Sequence, residues 1–482
     1  MPTTRNSDIQ ASSRSTKFIK DIGVYAIGNI GSKLITFLMV PLYTHFVPTS
    51  DFGYYDLCFT VCLLLIPFVT LQLRDGAFRF LLDCDEETER QRIVTFVSRS
   101  MLCTLSITAL VAVALALFTH IHYLGYILGL LIAISLQEVY SQVFRGLGNN
   151  RAFVTVGILS ALGIGVFSVI FVVGLGWGIK GIFLANIVAR LLALLFVELK
   201  VRLISRHTRW HINAREVGRD IIRYTLPLLP GSLCWWLTGS SDRLFISHFL
   251  GLDANGVYAV AIRFTGIITT LAIIFYQAWQ ETAILQYNSP DRNRFFSKML
   301  NSYIFLLAIL LIGYSFLLKV NYGWLVAEQY SESLNYIYPL GLSAVIFAIA
   351  AFFDMGYQCA KDTPRTLPAI VLSAIVNLIF NFALIKPLGV YGVIVTQIIT
   401  YIVLVVYRWH DMKRYFVLRL DKRILLPVAL VCICALPFYL SKNMWIDVAV
   451  MVAAIAVITW AVRGELLELW HSKIAKTHDA TK

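Results

Sequence analysis

The sequence predicts an all-α integral membrane protein with about fourteen transmembrane helices, and three observations carry that reading. Apolar residues make up 58% of the 482 and charged residues 14%, against about 45–50% and roughly 25% in an ordinary soluble domain. Apolar stretches of about 20 residues, each able to cross roughly 30 Å of hydrocarbon, follow one another from Ile22 to Val462. Lysine and arginine gather in alternate gaps between them. Helices are the spanning form these runs allow, because open strands leave backbone groups unpaired in lipid and the period-two alternation of a barrel is absent.

A polar tail, 1–21, comes first, and no small-residue cleavage site follows a short hydrophobic run, so the first helix is expected to stay in the mature protein. Spans are read near 22–45, 54–80, 93–118, 123–145, 153–175, 179–200, 222–250, 256–283, 298–319, 334–360, 366–386, 390–410, 422–440 and 444–463. One side of the membrane then receives Arg14, Lys17 and Lys20, the dense run from Lys200 through Arg219, and the cluster from Arg408 to Arg423, among others. The other side holds only Lys180, Lys319, Lys386 and Lys442. The positive-inside rule makes the basic side cytoplasmic, with both termini there and an even number of spans. The net charge of +13 is accounted for by topology. It leaves no basic, aromatic-interleaved surface for nucleic acid.

Seven of the eight cysteines lie in apolar stretches and only Cys84 in a polar gap, so they read as small hydrophobes without a disulfide or metal pattern. No Gly-x-x-x-x-Gly-Lys loop is present to cradle a nucleotide phosphate.

The chain repeats itself. His45-Phe46, Gly53 and Tyr55 recur 203 residues later as His248-Phe249, Gly256 and Tyr258. Gly178-Ile179-Lys180-Gly181 recurs as Gly389-Val390-Tyr391-Gly392 at an offset of 211. Two six-helix units in the same order and orientation imply a pseudo-two-fold axis along the membrane normal, a layout used by transporters. The expected domains are a bundle at 22–205, a linker at 206–219, a second bundle at 220–415, two extra helices at 416–463 and a tail at 464–482.

Several stretches together resemble the polysaccharide transport family, the O-antigen flippases of the multidrug/oligosaccharidyl-lipid/polysaccharide exporter superfamily. They are Gly28-Asn29-Ile30-Gly31-Ser32-Lys33 through Pro41-Leu42-Tyr43, then Phe52-Gly53-Tyr54-Tyr55, Arg145-Gly146-Leu147-Gly148, Ser241-Asp242-Arg243 through Gly256-Val257-Tyr258, and Tyr276-Gln277-Ala278-Trp279. The match is one of layout and distributed motifs over the first twelve spans. It implies two six-helix bundles in a V and export of an undecaprenyl-pyrophosphate-linked oligosaccharide across a bacterial inner membrane for O-antigen, capsule or exopolysaccharide. A polysaccharide polymerase and a chain-length regulator are the pathway partners it suggests, and a monomer without a cofactor the working state.

A charge at mid-bilayer costs at least about 2.5–3.5 kcal/mol on insertion scales, so charges within spans are functional candidates. Lys33, Arg74, Arg243 and Arg263 are the expected cavity cations, because guanidinium and ammonium groups bind phosphate oxygens. Asp75 and Asp242 are the candidate partners for these charges, or for a coupling proton or sodium ion. Arg74 and Asp75 are adjacent and so diverge by about 100° on a helix, which sends their main partners elsewhere. Trp235, Trp236, Tyr276 and Trp279 are candidates for stacking on sugar rings. Arg79, Arg190 and Asp354 read as interfacial, with their charges reaching toward the headgroups.

Competing readings are a membrane polymerase or ligase, a multidrug/cation antiporter and a lipid II flippase of the same superfamily. The first needs an extracytoplasmic segment with acid–base or nucleophilic groups, and the longest outward gap is the short one around Asn321 to Ser333. The antiporter would want a carboxylate-rich cavity, whereas the interior charges here favour cations. The protein is therefore expected not to be an enzyme.

Overall fold

The computed structural model describes residue 35, residues 37–420 and 422–439, and residues 448, 449, 452–454 and 456. Among them every regular element is helical. Among the described residues ten helices are long and apolar enough to cross a membrane. The expected span at 444–463 and most of the one at 22–45, Lys33 included, lie outside the described residues.

In chain order the helices are α1 (Phe37–Phe46), α2 (Thr49–Val69), α3 (Leu73–Leu82), α4 (Glu87–Phe118), α5 (Leu124–Gly146) and α6 (Asn150–Ser168), the last continued by a π-turn, Val169–Gly174. Then come α7 (Gly178–Val201), α8 (Leu203–His207), α9 (Arg215–Thr225), α10 (Leu229–Ser240), α11 (Asp242–Phe249) and α12 (Leu252–Gln286). The remaining five are α13 (Arg292–Leu325), α14 (Ser333–Cys359), α15 (Thr366–Leu388), α16 (Val390–Met412) and α17 (Lys422–Tyr439). The chain forms two compact units, Met1–Gly256 and Val257–Lys482.

In the first unit, Leu73, Ala77, Ile93, Val97, Val139, Val143 and Ile221 make a core shared by α3, α4, α5 and α9. In the second, Trp279, Phe296, Tyr303, Phe316, Tyr338 and Phe352 do the same for α12, α13 and α14. Lipid is as apolar as leucine, so close packing and internal hydrogen bonds hold such helices together. α4 shows the other side of that rule. Leu102, Leu110, Leu117 and Phe118 are exposed, and Thr104 and Thr108 donate to the carbonyls of Met101 and Thr104 on their own helix.

Two expected spans are broken. The stretch read as 54–80 is α2 followed by α3, separated at Thr70–Gln72 where Leu71 (φ 50°) and Gln72 (φ 54°) are both left-handed. Gln72 N donates to Pro67 O at 2.9 Å and Leu71 N to Phe68 O at 3.2 Å, the bond pattern that ends a helix when one residue turns left-handed. Left-handed non-glycine residues cost of order 1–3 kcal/mol each and persist where surrounding contacts hold them. Here the Gln72 amide donates to Asp75 Oδ2 at 2.8 Å and to Ser232 Oγ of α10 at 2.9 Å. The stretch read as 222–250 is divided among α9, a 3-10 turn at Leu226–Leu228, α10 and α11. Pro227 and Pro230 each remove a backbone donor there.

The repeated glycines have matching jobs. Gly178 and Gly389 open α7 and α16 with φ of 52° and 58°, a conformation glycine adopts without strain. Gly53 and Gly256 meet one another inside the first unit. A Cβ on Gly53 would stand 1.9 Å from Leu252 O, and one on Gly256 would stand 2.0 Å from Thr49 O. Leu252 is Thr49 shifted by the same 203 positions, so the first turns of α2 and α12 cross reciprocally. Asn255 Nδ2 donates to Gly53 O at 2.7 Å, and the Thr49 hydroxyl donates to Asp253.

Candidate functional site in the membrane

The α2–α3 break determines where the first group of charges sits. α3 restarts at Leu73 and places Arg74 and Asp75 in its first turn, with Leu73, Ala77 and Leu81 buried behind them. Arg74 Nη1 donates to Glu138 Oε2 of α5 at 2.7 Å, while its Nε is 3.6 Å from Asp75 Oδ1. The stronger partner is thus on another helix. All three side chains remain partly open, at 44% for Arg74, 40% for Asp75 and 31% for Glu138.

One residue before Glu138, Gln137 Oε1 accepts from Arg190 Nη1 of α7 at 2.8 Å. Arg190 stands near the middle of α7, with twelve residues before it and eleven after it in that helix. It is not an interfacial arginine. Its Nε is buried and has no hydrogen-bond partner among the described residues, and Glu138 lies within electrostatic reach of it. α5 therefore collects one arginine from α3 and one from α7 around the adjacent pair Gln137-Glu138.

A second group joins α11 to α2. Arg243 Nε donates to Asp56 Oδ2 at 2.9 Å, and the two side chains are 14% and 10% exposed. The neighbouring Asp242 is fully buried. Taking such a pair out of water costs several kcal/mol per ion, repaid only by close geometry. The sequence carried a signal for Asp56, a lone carboxylate in the apolar run after Phe52-Gly53-Tyr54-Tyr55. Trp236 of α10 is buried and donates from Nε1 to Thr60 O at 3.1 Å, whereas Trp235 is 49% exposed.

In the second unit, Arg263 is half-buried on α12. Asp354 of α14 is not interfacial in isolation: its Oδ1 is 3.1 Å from Nη2 of the buried Arg408 of α16. Gln358 Nε2 donates to Tyr276 OH at 2.8 Å and to Asp354 Oδ2 at 3.3 Å, and Gln280 donates to Gln358 Oε1 at 2.6 Å. Polar side chains thus tie α12, α14 and α16 together. Trp279 is enclosed, stacked on Phe352 at 4.7 Å with Phe296 edge-on. Gln358 and Arg408 were not singled out by sequence, since their partnership depends on how three helices are phased. Among the described residues no group of three or more His, Cys, Asp or Glu is placed to hold a metal ion.

The residues that carry the family resemblance are mostly packing residues. Tyr55 sets its ring edge-on to Phe183 at 5.1 Å, Tyr43 hydrogen-bonds Ser168 at 2.8 Å, and Tyr54 OH donates to His122 O at 2.6 Å. The family model described as "Polysaccharide biosynthesis protein" matches residues 18–280, more than half of the chain. The chain belongs to this family. Among solved structures, the chain is similar to the lipid II flippase MurJ in an inward closed conformation. The TM-score is 0.70 at 13% identity, over 93% of this chain and 100% of that one. It is also similar to an inward-facing multidrug resistance MATE family transporter of the MOP superfamily, with TM-score 0.60, 14% identity, and 81% and 98% coverage. A MOP superfamily transporter from Pyrococcus furiosus, whose description notes a binding pocket of reverse polarity, gives TM-score 0.51, 14% identity, and 82% and 96% coverage. At these identities the likeness establishes the fold, a multi-pass membrane fold shared by flippases and exporters. No curated protein sequence matches the chain.

Proposed function

We propose that this protein is a flippase. It moves an undecaprenyl-pyrophosphate-linked oligosaccharide from the cytoplasmic to the outer leaflet of a bacterial inner membrane by alternating access, for O-antigen, capsule or exopolysaccharide assembly. The observation that carries the reading is Arg74, presented half-exposed at a break in the second span of a fold shared with a lipid II flippase. A diphosphate offers the paired oxygens a guanidinium fork takes. Arg263, Arg243 and Lys33 would supply further positive charge, and Trp235 has ring surface open for a sugar. A cavity built for cationic drugs would call for the opposite polarity.

The asymmetry of lysine and arginine between alternate gaps favours cytoplasmic termini. A proton or sodium gradient would drive the cycle, with Asp75 and Asp242 as the carboxylates in question. The protein acts as a transporter rather than an enzyme, handing its cargo to a polymerase on the far side. The test is genetic and chemical together. Lys33→Ala and Arg263→Ala should each abolish surface polysaccharide and leave lipid-linked oligosaccharide in the inner leaflet, at unchanged protein level by immunoblot. Wild-type export by both variants rejects the assignment.

A further inference from the structure

Glu138 holds Arg74 in a charge-assisted bond of 2.7 Å at the very guanidinium that a diphosphate would need. Any anion binding there must first compete with this resident carboxylate. The structure also supplies a second place for it. On α7, Arg190 is anchored by Gln137 through Nη1, while its Nε edge is buried and lacks a partner among the described residues. Leaving a buried donor unpaired costs about 1–3 kcal/mol, more when it is charged. Glu138 lies within electrostatic reach of that arginine. The other charged and titratable neighbours are few. Asp75 comes from α3 and Tyr55 of α2 acts on Arg190, while Arg90 and Arg92 of α4 and Arg151 of α6 sit in the opening turns of those helices and Arg99 of α4 donates to Trp210 O.

We propose that Glu138 is a two-position carboxylate that gates access to Arg74. In the empty protein it neutralises Arg74. When a diphosphate headgroup takes Arg74, the Glu138 side chain turns to the Nε edge of Arg190, and an ion pair moves from the α3–α5 contact to the α5–α7 contact. No covalent bond is made or broken: the incoming diphosphate supplies the negative charge at Arg74 that the carboxylate vacates, and the carboxylate's own charge is met by Arg190. On release the carboxylate returns and expels the headgroup, so Glu138 lowers affinity in order to speed turnover. It is a positioning residue, acting through two arginines, and the proposal rests on the flippase reading above.

The experiment measures binding of undecaprenyl pyrophosphate to the purified full chain in nanodiscs, with inorganic pyrophosphate as a second arm to separate lipid headgroup from free anion. Glu138→Gln should bind about five- to tenfold more tightly, the equivalent of removing one partly solvent-open ion pair. Its polysaccharide export should be slower at equal protein level. Glu138→Asp, which keeps the charge, should stay near wild type in affinity. Arg190→Gln should weaken binding by removing the second position, and the double variant with Glu138→Gln should recover it. Thermal unfolding of each variant checks that all are folded. Unchanged or weaker binding in Glu138→Gln, or effects of the two substitutions that merely add, overturns the role of Glu138 while leaving the flippase intact. Wild-type protein that binds neither probe removes the flippase reading and this proposal with it.

Discussion

The reciprocal crossing of Gly53 and Gly256 permits a sharp test, because what a methyl group would meet there is backbone. A Cβ on Gly53 would lie 1.9 Å from Leu252 O and 2.7 Å from Gly256 N. Ordinary van der Waals contact begins at 3.4 Å, so the α12 backbone would have to recede by about 1.5 Å. Overpacking a filled site costs typically about 1–3 kcal/mol, and a carbonyl within a helix yields less readily than a side chain, which puts Gly53→Ala at about 3 kcal/mol or above. The retreat also strains the Asn255–Gly53 bond of 2.7 Å. Gly256→Ala should behave alike, since its Cβ would meet Thr49 O at 2.0 Å. Gly157 of α6 has open space where its Cβ would be, so Gly157→Ala should be neutral or stabilising by about 0.5–1 kcal/mol. The assay is the fraction of detergent-solubilised protein that stays monodisperse on size exclusion after graded heating. Equal midpoints for Gly53→Ala, Gly157→Ala and wild type would refute the packing argument.

Two further outcomes follow from the charges and thiols. Asp56→Asn removes the carboxylate to which the largely buried Arg243 donates and should cost about 3–5 kcal/mol in the same heating assay, whereas replacing both by apolar residues of similar volume should recover most of it; equal loss in the double variant would contradict the pairing. Cys84, in the turn between α3 and α4, is 5% exposed, and burial followed by the hydrogen bond to Glu89 holds its thiol above the usual range. With cysteine left only at position 84, maleimide labelling at pH 8 should be much slower than for a free thiol and should accelerate in Glu89→Gln. Fast labelling of the unaltered protein would show that the thiol is not shielded.

The membrane class and most helix limits were legible because hydropathy needs only composition. The stretches read as 123–145, 179–200 and 390–410 are α5, α7 and α16 within two residues at each end. The division of 222–250 had its cause in plain view at Pro227 and Pro230. The α2–α3 break did not, because leucine and glutamine rarely adopt a left-handed conformation and one of the two bonds that hold the Gln72 amide comes from Ser232, 160 residues away. Likewise the candidate cations were visible as charges in apolar runs, but their partners were not. Pairing Arg74 with Glu138, or Arg408 with Asp354, needs the rotation of one helix against another, which no spacing along the chain records. Aromatic candidates failed to separate for the same reason: Trp235 and Trp236 are neighbours, and only the phase of α10 makes one exposed and the other enclosed.

The bareness of α4 has a consequence for where the molecule can reside. Only 6% of its most apolar segment is buried, so neighbouring helices exert little hold on that stretch and the acyl chains are its principal solvent. Its greasy length must then match the local bilayer thickness on its own account, and any mismatch falls on this one rod as tilt or local thinning, at fractions of a kcal/mol per Å. Acyl-chain length in the host membrane is therefore a variable to which this helix, more than its sheltered neighbours, is tuned.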